Sequence, residues 1–372
     1  MTQSIVPPDQ RIPYLDLSAQ HALLKDEILA AVAAIIDRNA FVLGPGVEAF
    51  ERRFAEYCEA RHCVGVNNGT AAVHVALLAH GVGPGDEVIT QANTFIATVA
   101  GIMYTGARPV LVDVVAPSYT IDVRAVEAAI TPRTKAIMPV HIFGQPCDLD
   151  ALRSVARKHG LALIEDASQA HGALYKGTKI GSSGTVTFSF YPGKNLGACG
   201  EGGGVVTDRD DIDETCRVLR NHGSREKYRH DVLGFNYRLE GMQGAILDIK
   251  ARHLQAWTDG RRRVAALYDR ALDGLERPAL IADTASAYHI YPVFVPDRDG
   301  LRERLGARGI ETNVHYPIPC HLQPGYRALG YTEGAFPVSE RLAREELSLP
   351  IFPEMTGEQV TYVVDALLDA LR

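Results

Sequence analysis

Apolar residues along this chain switch repeatedly between a helical period of 3.6 and the strand period of 2, or gather into short apolar runs. Val47-Glu48-Ala49-Phe50 opens an amphipathic helix, and His62-Cys63-Val64-Gly65-Val66 reads as a strand. The polar turn Asn67-Asn68-Gly69-Thr70 leads into a helix over residues 71–78. Strand then helix recurs after that. Glu87-Val88-Ile89-Thr90 follows the turn Gly83-Pro84-Gly85-Asp86, and residues 109–114, 136–140 and 161–166 are apolar runs of strand length separated by helical patterns. This alternation predicts an α/β fold with a mostly parallel sheet flanked by helices, since parallel strands are joined by helices that cover both faces.

Beyond Val206 the pattern changes. A helix around Arg261-Arg262-Arg263 leads to an alternating strand over 288–295 and then a helix over 301–308, which predicts a second, smaller α+β domain. The expected division is a large domain of residues 1–250 and a small C-terminal domain of residues 251–372.

Composition narrows the function classes. Hydrophobic residues at 46% and charged residues at 22% of 372 are those of an ordinary globular chain. A net charge of -7 argues against nucleic-acid binding by phosphate neutralisation. Six cysteines without a CxxC pair indicate neither a disulfide framework nor a metal site, and fit a reducing, cytoplasmic setting. Residues 1–16 are polar and carry Pro7 and Pro8, unlike a signal peptide. The most apolar helical stretch, 28–36, is bracketed by Asp26, Glu27, Asp37 and Arg38 and is too short to span a membrane.

Candidate chemistry gathers at the strand ends. Over 185–195 an alternating strand runs into Pro192-Gly193, which presents Lys194, with glycines 197, 200, 202, 203 and 204 close behind. A lysine amine forms Schiff bases when its surroundings free the lone pair, although a solvated loop lysine is the plainer reading. Asp166 ends an apolar strand, where ligands collect at the carboxyl edge of a parallel sheet; it reads equally as a helix cap. Gln169 suits either a cofactor oxygen or a surface turn. Asn68-Gly69-Thr70 lies where a strand meets a helix N-terminus, whose free N–H groups hold phosphates but also exist without any ligand. Ser189 offers a hydroxyl to the same phosphate, and Phe95 offers a face for a flat ring; both also fit ordinary packing.

Together and in this order, the segments resemble the DegT/DnrJ/EryC1/StrS family of sugar aminotransferases. The likeness runs from Pro13-Tyr14-Leu15-Asp16-Leu17 to Leu347-Ser348-Leu349-Pro350. Its most specific blocks are Pro139-Val140-His141-Ile142-Phe143-Gly144-Gln145-Pro146, Ile164-Glu165-Asp166-Ala167-Ser168-Gln169-Ala170-His171-Gly172 and Phe188-Ser189-Phe190-Tyr191-Pro192-Gly193-Lys194-Asn195-Leu196-Gly197. The resemblance implies the aspartate-aminotransferase-like fold, fold type I, and pyridoxal 5'-phosphate, with pyridoxamine 5'-phosphate as its aminated form. It implies Lys194 as the Schiff-base lysine, Asp166 beside the pyridinium nitrogen, Gln169 at the ring hydroxyl oxygen and Phe95 stacked on the ring. Gly69, Thr70 and Ser189 would bind the phosphate. Asn236, in Gly234-Phe235-Asn236-Tyr237-Arg238-Leu239, matches an asparagine that reaches the phosphate in the neighbouring subunit, which implies a homodimer with active sites at the interface. Asn68 stands where serine is common, Glu201 replaces an aspartate, and Glu240-Gly241 replaces Asp-Glu. Family dehydratases carry histidine at the Schiff-base position, whereas this chain keeps lysine.

The implied reaction is ping-pong transfer of an amino group from an amino acid, glutamate, to a nucleotide-linked keto-sugar. Residues 220–230 resemble the clade that aminates carbon 3, with a 4-aminotransferase as the alternative. Tyr191, Lys227, Tyr228 and Arg229 are assigned to the substrate, Lys227 and Arg229 toward its diphosphate; a solvated charged loop is the other reading. His315, Tyr316 and His321 belong to a segment that resembles a substrate loop, although both histidines also fit as structural residues. A rival of another class is a regulatory protein that binds cofactor or sugar nucleotide without turnover. A nicotinamide dehydrogenase is disfavoured because no GxGxxG follows the first strand.

Overall fold

The computed structural model describes residues 11–372; the first ten residues of the polar stretch 1–16 lie outside the described residues. The chain enters through α1 (Ser18–Arg38) and α2 (Pro45–Cys58), then alternates β1 (His62–Val66), α3 (Gly69–Ala79), β2 (Glu87–Gln91), α4 (Ile96–Tyr104) and β3 (Arg108–Val112). It continues through α5 (Val123–Ala128), β4 (Thr134–Met138), α6 (Leu149–His159), β5 (Ala162–Asp166), β6 (Thr185–Ser189) and β7 (Gly203–Thr207). These strands form a seven-stranded sheet in the order β1-β7-β6-β5-β4-β2-β3. Its neighbours from β6 to β3 pair in parallel. β7 runs antiparallel to both β1 and β6. The mostly parallel sheet expected from the alternating pattern is thus present, with β2 and β7 buried along their whole length.

Two expected strands end early, each for a local reason. The apolar run 109–114 stops at Val112 because the Asp113 carboxylate turns away to accept from the backbone N–H of Val338 and Ser339, at 2.9 Å each, at the start of the helix Pro337–Glu345. The run 136–140 stops at Met138 because Pro139 has no N–H to give to a ladder.

After α7 (Asp210–Arg220) and α8 (Gly241–Ala251), α9 (Leu254–Ala271) passes between two cores. Leu254 and Trp257 pack with the sheet's core, while Val264, Ala265 and Tyr268 pack in a second core. That core covers the antiparallel pair β8 (Tyr291–Phe294) and β9 (Glu346–Leu349), and it takes in Ile12, whose segment bridges in parallel to Ile310. The helix expected over 301–308 begins earlier, at Arg298, because the Asp297 side chain caps it through Gly300 N–H. Among the described residues no helix is long and apolar enough to cross a membrane.

One close approach fixes the start of α3 against the sheet. A Cβ on Gly203 would lie 2.3 Å from the Asn68 carbonyl oxygen, and a Cβ on Gly69 would lie 2.6 Å from the Cβ of Ser189. Gly203→Ala should therefore cost about 1–3 kcal/mol through overpacking against backbone that cannot retreat. Thermal unfolding tests this: an unchanged melting temperature would mean that the contact has slack.

Candidate active site

The carboxyl ends of β2, β5 and β6 and the N-terminus of α3 open onto one cavity of about 900 Å³, whose lining also takes in Tyr14, Leu15, His289, Asn313, His315 and Tyr316 from outside the sheet. Asp166, the last residue of β5, is 4% exposed. One carboxylate oxygen accepts from the Thr98 hydroxyl at 2.7 Å, and the other accepts from the Ser168 backbone N–H at 3.0 Å. Thr98 is itself hydrogen-bonded to Thr94 at 2.9 Å. Among the described residues no cation lies within ion-pairing distance of Asp166. A carboxylate so far out of water calls for a positive partner that the described residues do not supply at ion-pairing distance.

Lys194 follows the turn after β6, where its N–H bonds the Tyr191 carbonyl at 2.9 Å. Its Nζ makes no ion pair among the described residues. Burial lowers its pKa to about 8, against the opposing pull of the Asp166 charge. About a tenth of the amine is then unprotonated at pH 7, far more than for a surface lysine.

At the start of α3 the Asn68 side chain accepts from Ala71 N–H at 2.8 Å, and the Gly69 and Thr70 N–H groups remain free beside the Ser189 hydroxyl. Asn68 thus serves as the helix cap, a role that any short polar side chain fills. Phe95, 52% exposed at the N-terminus of α4, sits 5.3 Å from the Tyr316 ring. Gln169 is buried; its oxygen accepts from Phe143 N–H at 2.6 Å and its amide donates to the Tyr316 hydroxyl at 3.0 Å. The cradle suits a phosphate ester, the Phe95 face suits a flat ring, and Lys194 suits an aldehyde.

The cavity brings together Gly69, Thr70, Phe95, Asp166, Gln169, Ser189, Tyr191, Lys194, His315 and Tyr316. The other residues singled out from the sequence lie elsewhere in this chain. Lys227, Tyr228 and Arg229 occupy an exposed hairpin between Ser224–Glu226 and Arg229–His230, with Tyr228 84% exposed and Arg229 paired to Asp231 at 2.9 Å. Asn236 is exposed, bridges in antiparallel fashion to Asn221 at the base of that hairpin, and is followed by Tyr237, which does line the cavity. His321 is buried with Glu340, its Nε2 2.9 Å from the carboxylate, and does not line the cavity. Sequence reasoning missed Thr98, whose only signal was its helical spacing of four from Thr94, and His289, a cavity residue 3.2 Å from Asn195, which carried none.

The profile of the DegT/DnrJ/EryC1/StrS aminotransferase family matches residues 22–368. The chain is 48% identical to the dTDP-3-amino-3,4,6-trideoxy-alpha-D-glucose transaminase of Streptomyces venezuelae, over 96% of this chain and 95% of that protein. It is 47% identical to a pleiotropic regulatory protein of Geobacillus stearothermophilus, over 97% and 99%. The crystal structure of S. venezuelae DesV in complex with a ketimine intermediate superposes with a TM-score of 0.95 at 47% identity, covering 97% of this chain and 99% of that one.

The Asp166 charge, acting across the cavity, favours the Lys194 ammonium, so Asp166→Asn should move the Lys194 pKa below about 8 in protein freed of its cofactor. The pH dependence of Lys194 reductive methylation, read by peptide mass spectrometry, checks this. A pKa that stays put or rises would show that the two groups do not interact.

Proposed function

Because the chain belongs to the DegT/DnrJ/EryC1/StrS aminotransferase family and is a pyridoxal-phosphate-dependent aminotransferase, we propose that it moves an amino group from glutamate to carbon 3 of a nucleotide-linked 3-keto-hexose. The observation that carries this reading is the meeting of Lys194, the buried Asp166 carboxylate and the glycine-lined cradle in one cavity. The choice of carbon 3 is supported by the 48% identity to a 3-amino-sugar transaminase.

The residues present fit pyridoxal phosphate. The cradle at Gly69 is too close to Ser189 for any side chain, and Asp166 has no cation of its own. When bound, pyridoxal phosphate supplies an aldehyde and a protonated pyridine ring that draws electrons from a breaking C–H bond. The chain's residues do the rest. Gly69 and Thr70 N–H with the Ser189 hydroxyl hold the phosphate. The Asp166 carboxylate, aimed by Thr98 and Ser168, would meet the ring N–H. Lys194 would hold the aldehyde carbon until the donor's amine displaces it, and its freed Nζ would then take a proton from the donor carbon and return it on the other side of the transfer. Phe95 would cover one ring face, and Gln169, anchored by Phe143 N–H, would meet the ring's oxygen. Tyr191, His315 and Tyr316 line the space left for the sugar.

A homodimer is part of the same reading. Leu23, Leu29 and Ile36 of α1 and the following Phe41 and Val42 are exposed at 43–82%, and Leu233, beside the 224–230 hairpin, is 87% exposed. Apolar surface of that extent asks for a second copy. Asn236 and the hairpin bearing Lys227, Tyr228 and Arg229 are tied through Asn221, so a partner that receives one receives the other. The division at 250/251 and a cytoplasmic setting belong to this proposal too. A regulatory role without turnover, the name of the Geobacillus relative notwithstanding, would leave the convergence of Lys194 and Asp166 without use.

Turnover of a panel of thymidine- and uridine-diphosphate 3-keto and 4-keto sugars, with the amine position of each product assigned, tests the reaction. A 3-amino product is expected, and Lys194→Ala should remove all turnover while the fold persists. Amination at carbon 4, or none across the panel, would overturn the reading.

The shared site has its own test, since Asn236 lies beside Tyr237 of its own cavity and is also exposed to a partner. A Lys194→Ala chain has a sound Asn236, and an Asn236→Asp chain has a sound Lys194 beside a carboxylate that repels phosphate. Heterodimers of the two should regain one working site if Asn236 acts across the interface. Heterodimers no better than the Asn236→Asp homodimer would place Asn236 in its own chain's site.

A further inference from the structure

Behind the wall formed by His315 lies a buried polar chain that no step above uses. The backbone of Asn313 pairs with Ser348 of β9, through N–H to carbonyl bonds of 3.1 and 2.9 Å, and this sets His315 against the strand. Its Nδ1 is 2.7 Å from the Ser348 hydroxyl oxygen. That hydroxyl donates to one oxygen of Glu346, and the other Glu346 oxygen accepts from the His315 backbone N–H at 2.6 Å. Glu346 and Ser348 are wholly buried. Nε2 has no hydrogen-bond partner among the described residues and is the ring nitrogen left for the cavity that His315 lines.

We propose that Ser348 and Glu346 are positioning residues that decide whether Nε2 of His315 meets the substrate as a bare acceptor or as an N–H donor. A hydroxyl has one proton. With Glu346 ionised, Ser348 gives that proton to the carboxylate and can only accept from His315, so the ring proton sits on Nδ1 and Nε2 is bare. With Glu346 protonated, its O–H donates to Ser348, and Ser348 donates to Nδ1. The ring proton then moves to Nε2, through solvent, with a net uptake of one proton at Glu346. The ring itself stays neutral, because burial and then the charge of Lys194 lower His315 to about 3.

The switch falls in a working range. Burial raises Glu346 to about 7, against the pull of Ser348, the His315 N–H and Arg298. The groups that face it are Arg298, which donates to the Glu346 carbonyl at 3.0 Å, Tyr14 of the N-terminal segment, Arg261 of α9 beside Tyr14, and His315, with Lys194 beyond. Burial and the Glu346 charge raise Tyr14, so it remains a neutral phenol throughout.

The consequence for substrate rests on the aminotransferase reading: a sugar hydroxyl that donates to Nε2 finds an acceptor above the midpoint and a competing donor below it. The coupling itself is tested without turnover, on holoenzyme selectively labelled with 15N-histidine, His315 being assigned by the signals lost in His315→Gln. In the unaltered chain the protonated nitrogen should change from Nδ1 to Nε2 as pH falls through about 7. In Glu346→Gln the amide oxygen keeps the His315 N–H and the NH2 faces Ser348, so the proton should stay on Nε2 at every pH. Ser348→Ala should abolish the pH dependence. No change of protonated nitrogen in the unaltered chain, or the same midpoint in Ser348→Ala, would overturn the proposal even if Glu346→Gln fails to fold. A several-fold rise in keto-sugar KM in Glu346→Gln with kcat little changed would extend it to the substrate. Intact coupling with no turnover on the sugar panel would count against the aminotransferase reading alone.

Discussion

A carboxylate held out of water at the edge of a parallel sheet is the constraint around which this fold is arranged. Asp166 is 4% exposed, and burial of a charge is costly unless hydrogen bonds and an opposite charge offset it. The hydrogen bonds come from two directions, the Thr98 hydroxyl on α4 and the Ser168 N–H in the loop after β5. Its backbone is pinned as well, since Asp166 N–H bonds the Pro139 carbonyl at 2.9 Å and the His141 N–H bonds the Asp166 carbonyl at 3.0 Å. With the backbone fixed, a swing of the carboxylate toward solvent would break both the Thr98 and the Ser168 hydrogen bonds. Among the described residues no cation lies within ion-pairing distance, and in the proposed reading a bound cationic ring would satisfy that remaining demand.

The second core matters because it turns this edge into an enclosed site. Arg261 of α9, 2% exposed, donates to the carbonyls of Tyr288, His289 and Ile351 at 3.0–3.2 Å, and so ties the helix that spans both cores to the segment that carries His289 into the cavity. Gln169 makes the reciprocal tie, with one end on Phe143 and the other on Tyr316. Loss of either contact would leave a buried donor or acceptor unpaired, a larger penalty than the bond's net worth. The cavity's depth is thus set by polar groups that have no alternative partners.

Residues whose position follows from their own strand or helix were legible in the sequence. β1 falls on the expected residues, and Asp166 and Ser189 fall at strand ends, because apolar runs and their turns are local signals. Gly69 was legible as a helix start, but the reason that it must be glycine, a Ser189 side chain 2.6 Å from where its Cβ would be, depends on the start of α3 meeting the end of β6, far away in sequence. Asp113 was read as strand because its capping of a helix more than 200 residues later leaves no local trace. Thr98 and Glu346 were passed over for the same reason: each looks like an ordinary polar residue until the fold supplies Asp166 or His315. His321 shows the converse, a histidine in a suggestive segment that the fold commits to Glu340.

The charge state of the cavity follows from the same burial. Burial, with the charge of Lys194 adding to it, holds His171 and His315 at about 3 and keeps His289 well below its usual range. Burial also raises the Tyr14 and Tyr316 phenols. All of these side chains are therefore neutral near pH 7, able to hydrogen-bond but unable to add a fixed charge. Among the groups around the cavity, Lys194 and Glu346 are the ones brought close to neutrality from opposite sides, to about 8 and about 7. With these histidines and tyrosines neutral, Lys194 is the one cationic side chain among the lining residues, and a low local dielectric strengthens the action of the Asp166 carboxylate on a partner. It also means that a bound phosphate and diphosphate must be met largely by N–H groups at helix ends and by cations brought from outside the cavity. In the proposed dimer the exposed Lys227 and Arg229 of a second chain would supply these, and dimerisation would then complete the charge balance that burial alone leaves open.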